Sequence, residues 1–234
     1  MKTKLWHVYI VLYFSLTWTF LVVAQTATPL HQFIPFVQQQ SSVAYARVVV
    51  GAFLYDGVLY GDRDEAFALV NVGTTPINVA GWSVSDGRRS VTLPSLFLTP
   101  QREVWCARDA LAFQTLFGFI PGCEYGTDAD PNVPDAKGTA LRFANTGGNV
   151  RLFNASGQEK DTVSYKNASS LSTWHGASLW PVPGFRESGQ IFYRKWQEYT
   201  ASLWPDADGP QDWAQDPLDL RYGQRVRYPG WNLS

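Results

Sequence analysis

DEAFALVNVGTTPINVAGWSVSDG, residues 64–87, decides the fold. Successive side chains point to opposite faces of a strand, so Phe67 and Leu69 share one face and Ala66, Ala68 and Val70 the other. Gly73-Thr74-Thr75-Pro76 then turns the chain, and Asn71 stands just before that turn, where its side chain can bond backbone groups the strand has ceased to satisfy. Gly81 beside Trp82 suits a bulge or a close backbone approach that lets the indole enter the core. Asp86-Gly87 supplies the positive φ of a tight hairpin, returning the chain into Arg88 to Leu93. Every unusual residue has a folding role, and none marks a reacting centre.

Working outward, short runs rich in β-branched and aromatic residues recur between Gly, Pro, Asp and Asn, the pattern of an all-β sandwich. The spacing predicts strands at Arg47 to Tyr55, Glu65 to Val72, Ile77 to Ser85, Ser90 to Leu93, Glu103 to Cys106, Ala140 to Ala144, Asn149 to Phe153 and Lys160 to Tyr165. One short helical insertion is expected within Ala107 to Gly118, with Asp109 capping it, Leu111, Leu116 and Phe117 at helical spacing, and Gly118 stopping it. The following PGCEYGTDADPNVPDAKG is too rich in Pro, Gly and Asp for a regular element and reads as a long loop.

The N-terminus, MKTKLWHVYIVLYFSLTWTFLVVAQTATP, places Lys2 and Lys4 before a long apolar run that ends in Val22-Val23-Ala24. It predicts a signal peptide over residues 1–24, cleaved after Ala24, with an uncleaved membrane anchor as the alternative. Residues 25–43 read as a spacer, 44–167 as the sandwich, and 168–234 as an irregular extension rich in Trp, Pro and Gly. Removing Lys2 and Lys4 from the 19 basic side chains leaves 17 against 20 acidic ones, so there is no basic field for nucleic acid. Both cysteines, Cys106 and Cys123, fall in the exported part, where a disulfide could persist; two buried thiols that never meet are the alternative.

Glu65, Leu69-Val70-Asn71, Gly73, Ala80-Gly81-Trp82-Ser83-Val84 and Asp86, then Leu93-Pro94 and Leu98-Thr99-Pro100, resemble the lamin-tail domain. A second block in the same order includes Asn145, Thr146-Gly147-Gly148, Val150, Leu152, Asn154, Gly157, Asp161, Val163 and Tyr165, so the resemblance covers about residues 45–166. It implies an immunoglobulin-like β-sandwich of the exported bacterial type, used as an interaction module and lacking catalytic residues and cofactors. The extension, with Gly189 to Lys195, Pro205 to Asp208 and Arg225 to Trp231, resembles segments that follow such domains in larger bacterial surface proteins, some continuing into a phospholipase-D-like domain.

Candidate chemistry is sparse. After the signal only His31 and His175 remain, and His175-Gly176-Ala177 is not the His-x-Lys of a phosphodiesterase. Asp62, Asp64 and Glu65 are expected to be solvated acids at a sandwich edge, with ordinary titration and Glu65 tying down a neighbouring backbone or Arg. Asp128, Asp130 and Asn132 occupy the first, third and fifth positions of a calcium loop, but Val133 and Thr139 stand where the loop needs Gly and Glu; Asp206, Asp208 and Asp212 are equally incomplete. No metal is therefore assigned.

Six of the ten tryptophans lie in residues 170–234. Trp174, Trp180, Trp196, Trp204 and Trp213 either bury their rings against the sandwich, or two or three stand exposed for sugar rings or a partner surface. Arg221, Arg225 and Arg227 beside Tyr222, Tyr228 and Trp231 form either a solvated chain end or a patch for an anionic polymer or lipid headgroup. The expectation is a non-catalytic binding module, exported or at the cell surface, taking a protein or polysaccharide ligand of the envelope and meeting a membrane only through an uncleaved N-terminus. The alternative is the accessory front of an exported phosphodiesterase whose catalytic domain lies outside this chain.

Overall fold

The computed structural model describes residues 44–195, 206–221 and 223–231. The signal segment 1–24, the spacer 25–43, and Trp196, Trp204 and Tyr222 lie outside the described residues. In chain order the strands are Val48–Leu54 (β1), Ala66–Asn71 (β2), Ile77–Asn78 (β3), Ser83–Ser85 (β4), Ser90–Thr92 (β5), Phe97–Leu98 (β6), Glu103–Ala107 (β7), Cys123–Glu124 (β8), Lys137–Gly138 (β9), Gly147–Phe153 (β10), Glu159–Lys166 (β11) and Phe192–Tyr193 (β12). The helix Ala110–Phe117 (α1) lies between β7 and β8.

One sheet has the order β12-β1-β2-β7-β8, a second β11-β10-β4-β5-β9, and β3 pairs with β6 in a separate ribbon. Phe53, Phe67, Leu69 and Cys106 of the first sheet share one core with Val84, Val91, Val150, Leu152 and Val163 of the second. The fold is thus all-β, an immunoglobulin-like sandwich carrying one short helix and an aromatic-rich extension.

The alternation in β2 sets which layer lies on each side. Its bulky face, Phe67 and Leu69, fills the sandwich core, whereas Ala66 and Ala68 face outward and are covered by a second apolar layer. That layer takes Phe113 and Phe117 from α1 and Ile191, Tyr193 and Ala214 from the extension, around Trp105. Small side chains on the strand let these bulky covers approach, and each fully buried Phe contributes roughly 1.5–3 kcal/mol. In α1, Asp109 accepts a cap bond from the Ala112 amide at 2.9 Å, and Gly118 ends the helix. The buried face is Ala110, Ala112, Phe113 and Phe117, while Leu111 faces solvent. Phe113 and Phe117, four residues apart, stack at 3.9 Å and both lie against Trp105, so the aromatic pair orients the helix instead of the leucines.

Four expected elements differ. The run Ile77 to Ser85 is broken at Gly81, whose φ of 77° carries the chain from the small ribbon into the second sheet, a turn in place of a bulge. Ala140 to Ala144 joins neither sheet, although Leu141 and Phe143 are buried. A carboxylate stands in for a neighbouring strand there: the Arg142 amide donates to Asp86 Oδ2 at 3.0 Å. The Pro/Gly/Asp-rich loop contains β8 and β9. In the extension, β12 pairs with β1, Ala52 opposite Tyr193 and Phe53 opposite Phe192, and thereby supplies an edge strand.

Candidate functional site

The residues of the two sequence blocks are dispersed around the sandwich, each closing a local connection. Asn71 is fully buried: its amide nitrogen donates to Thr75 O at 2.7 Å and Leu98 O at 3.0 Å, and its oxygen accepts from Gly73 N at 2.9 Å. Gly73 is packed so tightly on the incoming chain that a Cβ would lie 2.4 Å from Tyr45 O. Asp86 Oδ1 accepts the Arg88 and Arg89 amides at 2.8 and 2.6 Å, closing the β4–β5 hairpin, while its other oxygen holds Arg142. Trp82 is half-buried against the main core, Gly147 opens β10, and Asn145 donates to Asp56 Oδ1 at 3.3 Å.

Of the three acids before β2, Asp62 remains partly exposed, whereas Asp64 and Glu65 are not solvated. Asp64 is buried and accepts the Val58 and Leu59 amides at 2.7 and 2.9 Å, and Glu65 is buried beside Arg108 at 3.3 Å. Burial pushes Glu65 up to about 8 against the pull of Arg108, so its titration is not that of an edge carboxylate. The chain after Asp56 folds back over these side chains, which the local sequence did not reveal. Cys106 and Cys123 are disulfide-bonded, opposite each other on β7 and β8 with Cα atoms 4.5 Å apart.

The densest polar cluster centres on Arg194, which sequence reasoning missed. Its guanidinium donates to both Asp161 oxygens at 2.9 and 2.8 Å, to Asp206 Oδ1 at 2.9 Å and to Val50 O at 2.7 Å, and it lies 5.0 Å from the Trp213 ring centre. Its backbone amide donates to Gly51 O, beside the register shift in β1. Asp161 also accepts the Val50 amide at 2.6 Å, and Arg47 adds a second bond to Asp206 at 2.7 Å. Burial raises Asp161 to about 7 and Asp212 to about 6; burial opposes ionisation of Asp206 too, but Arg194 and Arg47 outweigh it and its pKa is lowered. A lone Arg amid Gly-Gln-Ile-Phe-Tyr-Arg-Lys gives no local sign of partners 33 residues upstream and 12 downstream.

Among the described residues, two clusters of acids each bring their carboxylate oxygens within metal-ligand reach of one another. Glu124, Asp128 and Asp135 form the first, where Glu124 accepts the Ala110, Ala129 and Asp130 amides and Asp130 accepts the Asn132 amide. Asp161, Asp206 and Asp208 form the second, where the Arg194 guanidinium already lies between Asp161 and Asp206. Asp212 joins this cluster at 3.5 Å from Arg194, with its second oxygen buried and unpartnered.

Among the described tryptophans of the extension, Trp174 and Trp213 are buried, whereas Trp180 and Trp231 stand half-exposed. His175 is exposed, and its amide donates to Asp208 O at 2.7 Å. Among the described residues no helix is long and apolar enough to cross a membrane.

No family model matches the chain, and no curated protein is similar to it. A crystal structure of a DUF4876 family protein from Bacteroides thetaiotaomicron VPI-5482 is similar, with a TM-score of 0.50 at 14% identity, covering 80% of this chain and 75% of that chain. At that identity the likeness concerns the fold alone.

Proposed function

We propose that the chain is an exported sandwich of the lamin-tail type that acts as a non-catalytic binding module at the cell surface. One observation carries this reading: Glu65, Asn71, Asp86 and Asp161 commit their polar atoms to backbone groups and arginines of the fold itself. The residues that carry the resemblance therefore build a scaffold, and recognition falls to the side chains displayed on it. Those include Phe97, Trp180, Phe185 and Trp231, all exposed large rings. The ligand of such a module is a protein or polysaccharide of the envelope.

Co-sedimentation of the purified chain with envelope fractions of its host tests the reading. Pelleting with the cell-wall or polysaccharide fraction is the expected result. Retention of the chain in the supernatant with every fraction would sink it, as would hydrolytic turnover that persists in a preparation free of other proteins.

A further inference from the structure

Two lysines make close ion pairs, and water reaches the two pairs differently. Lys166 Nζ meets Glu187 Oε1 beside the Tyr55 ring, but the Glu187 side chain is 45% exposed. Lys195 Nζ meets Asp219 Oδ2, and each of those side chains is only 4% exposed. The second pair ties the chain just after β12 to a residue 24 positions further along the extension.

The backbone holds both partners in place. The Lys195 amide donates to Asp212 O at 2.9 Å, and the Asp219 amide donates to Asp216 O at 3.3 Å. The other carboxylate oxygen of Asp219, Oδ1, accepts the Arg221 amide at 3.0 Å. One oxygen of this buried carboxylate is thus bound by a backbone N–H, while the other touches a primary amine away from water. The buried pairs of Arg194 with Asp161 and Asp206 differ in kind, because a guanidinium stays protonated and has no amine lone pair to offer.

Burial gives the lysine pair a chemical direction. Two charges taken out of water carry a desolvation cost that their attraction repays incompletely, whereas an amide is neutral and needs only hydrogen bonds. Contact fixed by the fold replaces a random encounter of amine and acid. A site that excludes water also protects the product from hydrolysis.

We propose that Lys195 and Asp219 condense into an intramolecular amide, a covalent cross-link that closes this part of the extension into a ring. One Nζ proton passes to Oδ2 across the contact, leaving a neutral amine and a neutral acid. The Nζ lone pair then adds to Asp219 Cγ, and negative charge gathers on Oδ1, where the Arg221 amide stabilises it. A second Nζ proton passes to Oδ2, the Cγ–Oδ2 bond breaks, and water leaves. The third proton stays on the new amide nitrogen, so no oxidant, cofactor or second protein is consumed. Lys166 and Glu187 remain an ion pair because water solvates Glu187. The cross-link does not depend on what the module binds.

Peptide masses from the full chain, denatured and reduced before trypsin is added, test this. No Lys or Arg lies between Lys195 and Arg221. The expected product is a single peptide, 195–221, uncut at Lys195 and lighter than its sequence by one water. Tandem fragmentation should release no backbone fragment from within its ring, 195–219. Lys195→Arg and Asp219→Ala should each give peptides of full sequence mass, and Lys166→Arg should leave the linked peptide unchanged. The proposal is overturned if the parent gives 195–221 or 196–221 at full mass. It is overturned equally if a water is missing while Lys195 is cut, which puts the loss at an imide such as one from Asp208-Gly209, or if Asp219→Ala still lacks the water. Should a variant fail to fold, the parent digest alone decides.

Discussion

Two elements cover the same outer face of β1, β2 and β7, and they are held in opposite ways. Helix α1 is seated by adjacent residues: Asp109 caps it, Gly118 stops it, and Phe113 and Phe117 face inward at helical spacing. The extension places Ile191, Tyr193 and Ala214 on the same layer, but its position depends on Arg194 reaching Asp161 in β11, Val50 in β1 and Asp206 further along the chain. One cover is specified by its own sequence and the other by partners far away in it. The contrast teaches that an irregular segment can be as firmly placed as a helix when a buried charge cluster supplies the positional information that periodicity lacks.

The largest effect should come from removing the distant anchor. Arg194→Met leaves Asp161 buried without its partner, and breaking one side of a buried pair costs about 3–5 kcal/mol. The urea midpoint should fall accordingly, and trypsin should cleave first within residues 206–231 while α1 stays protected. The double variant Arg194→Met, Asp161→Leu should recover much of the loss, because no uncompensated charge remains. If Arg194→Met leaves the extension as resistant to trypsin as the parent, the clasp does not place it and the contrast with α1 collapses.

A pH titration sharpens the comparison by separating the sandwich from its clasp. Glu65 is raised in the folded state to about 8, so between its unfolded value and pH 8 the native protein holds more protons than the unfolded chain. Stability therefore declines as pH rises through that window and levels off above it. Asp161, at about 7, and Asp212, at about 6, add slopes of the same sign at lower pH, whereas the lowered Asp206 opposes them below its unfolded value. A single group can tilt the curve by at most about 1.4 kcal/mol per pH unit. Thermal midpoints should be higher at pH 5 than at pH 8, and Glu65→Gln should flatten the upper part of that decline by on the order of 2 kcal/mol. Glu65→Gln should not alter tryptic release of the extension. A midpoint that climbs from pH 5 to pH 8 would contradict the burial argument for Glu65.

The same contrast explains what the sequence disclosed. Strands β1, β2, β7, β10 and β11 were legible because alternation is local and strong, and α1 because its cap and stop flank it directly. The Asp86 hairpin was legible for the same reason. Ala140 to Ala144 misled because burial of Leu141 and Phe143 imitates a strand, while the Arg142 amide is held by Asp86, more than 50 residues earlier. Asp64 and Glu65 misled in turn, since nothing nearby shows that residues 56–62 fold over them. Strand β12 and Arg194 were illegible, because two residues carry no periodicity and an arginine does not announce its acids.

The smallest effect tests whether the helix is as locally held as its sequence implies. Asp109→Ala removes the cap bond to the Ala112 amide and the ion pair with Arg63. Loss of an N-cap costs about 1 kcal/mol, and the Arg63 side chain, 61% exposed, adds little in water. The Phe113–Phe117 stack against Trp105 persists, so only the first turn should fray. Hydrogen exchange should quicken at the Ala112 and Phe113 amides, and Arg194-dependent protection of residues 206–221 should remain. Were Asp109→Ala to cost as much as Arg194→Met and to loosen the extension too, the two covers would form one cooperative layer, and the division between a locally encoded helix and a remotely anchored strap would have to be abandoned.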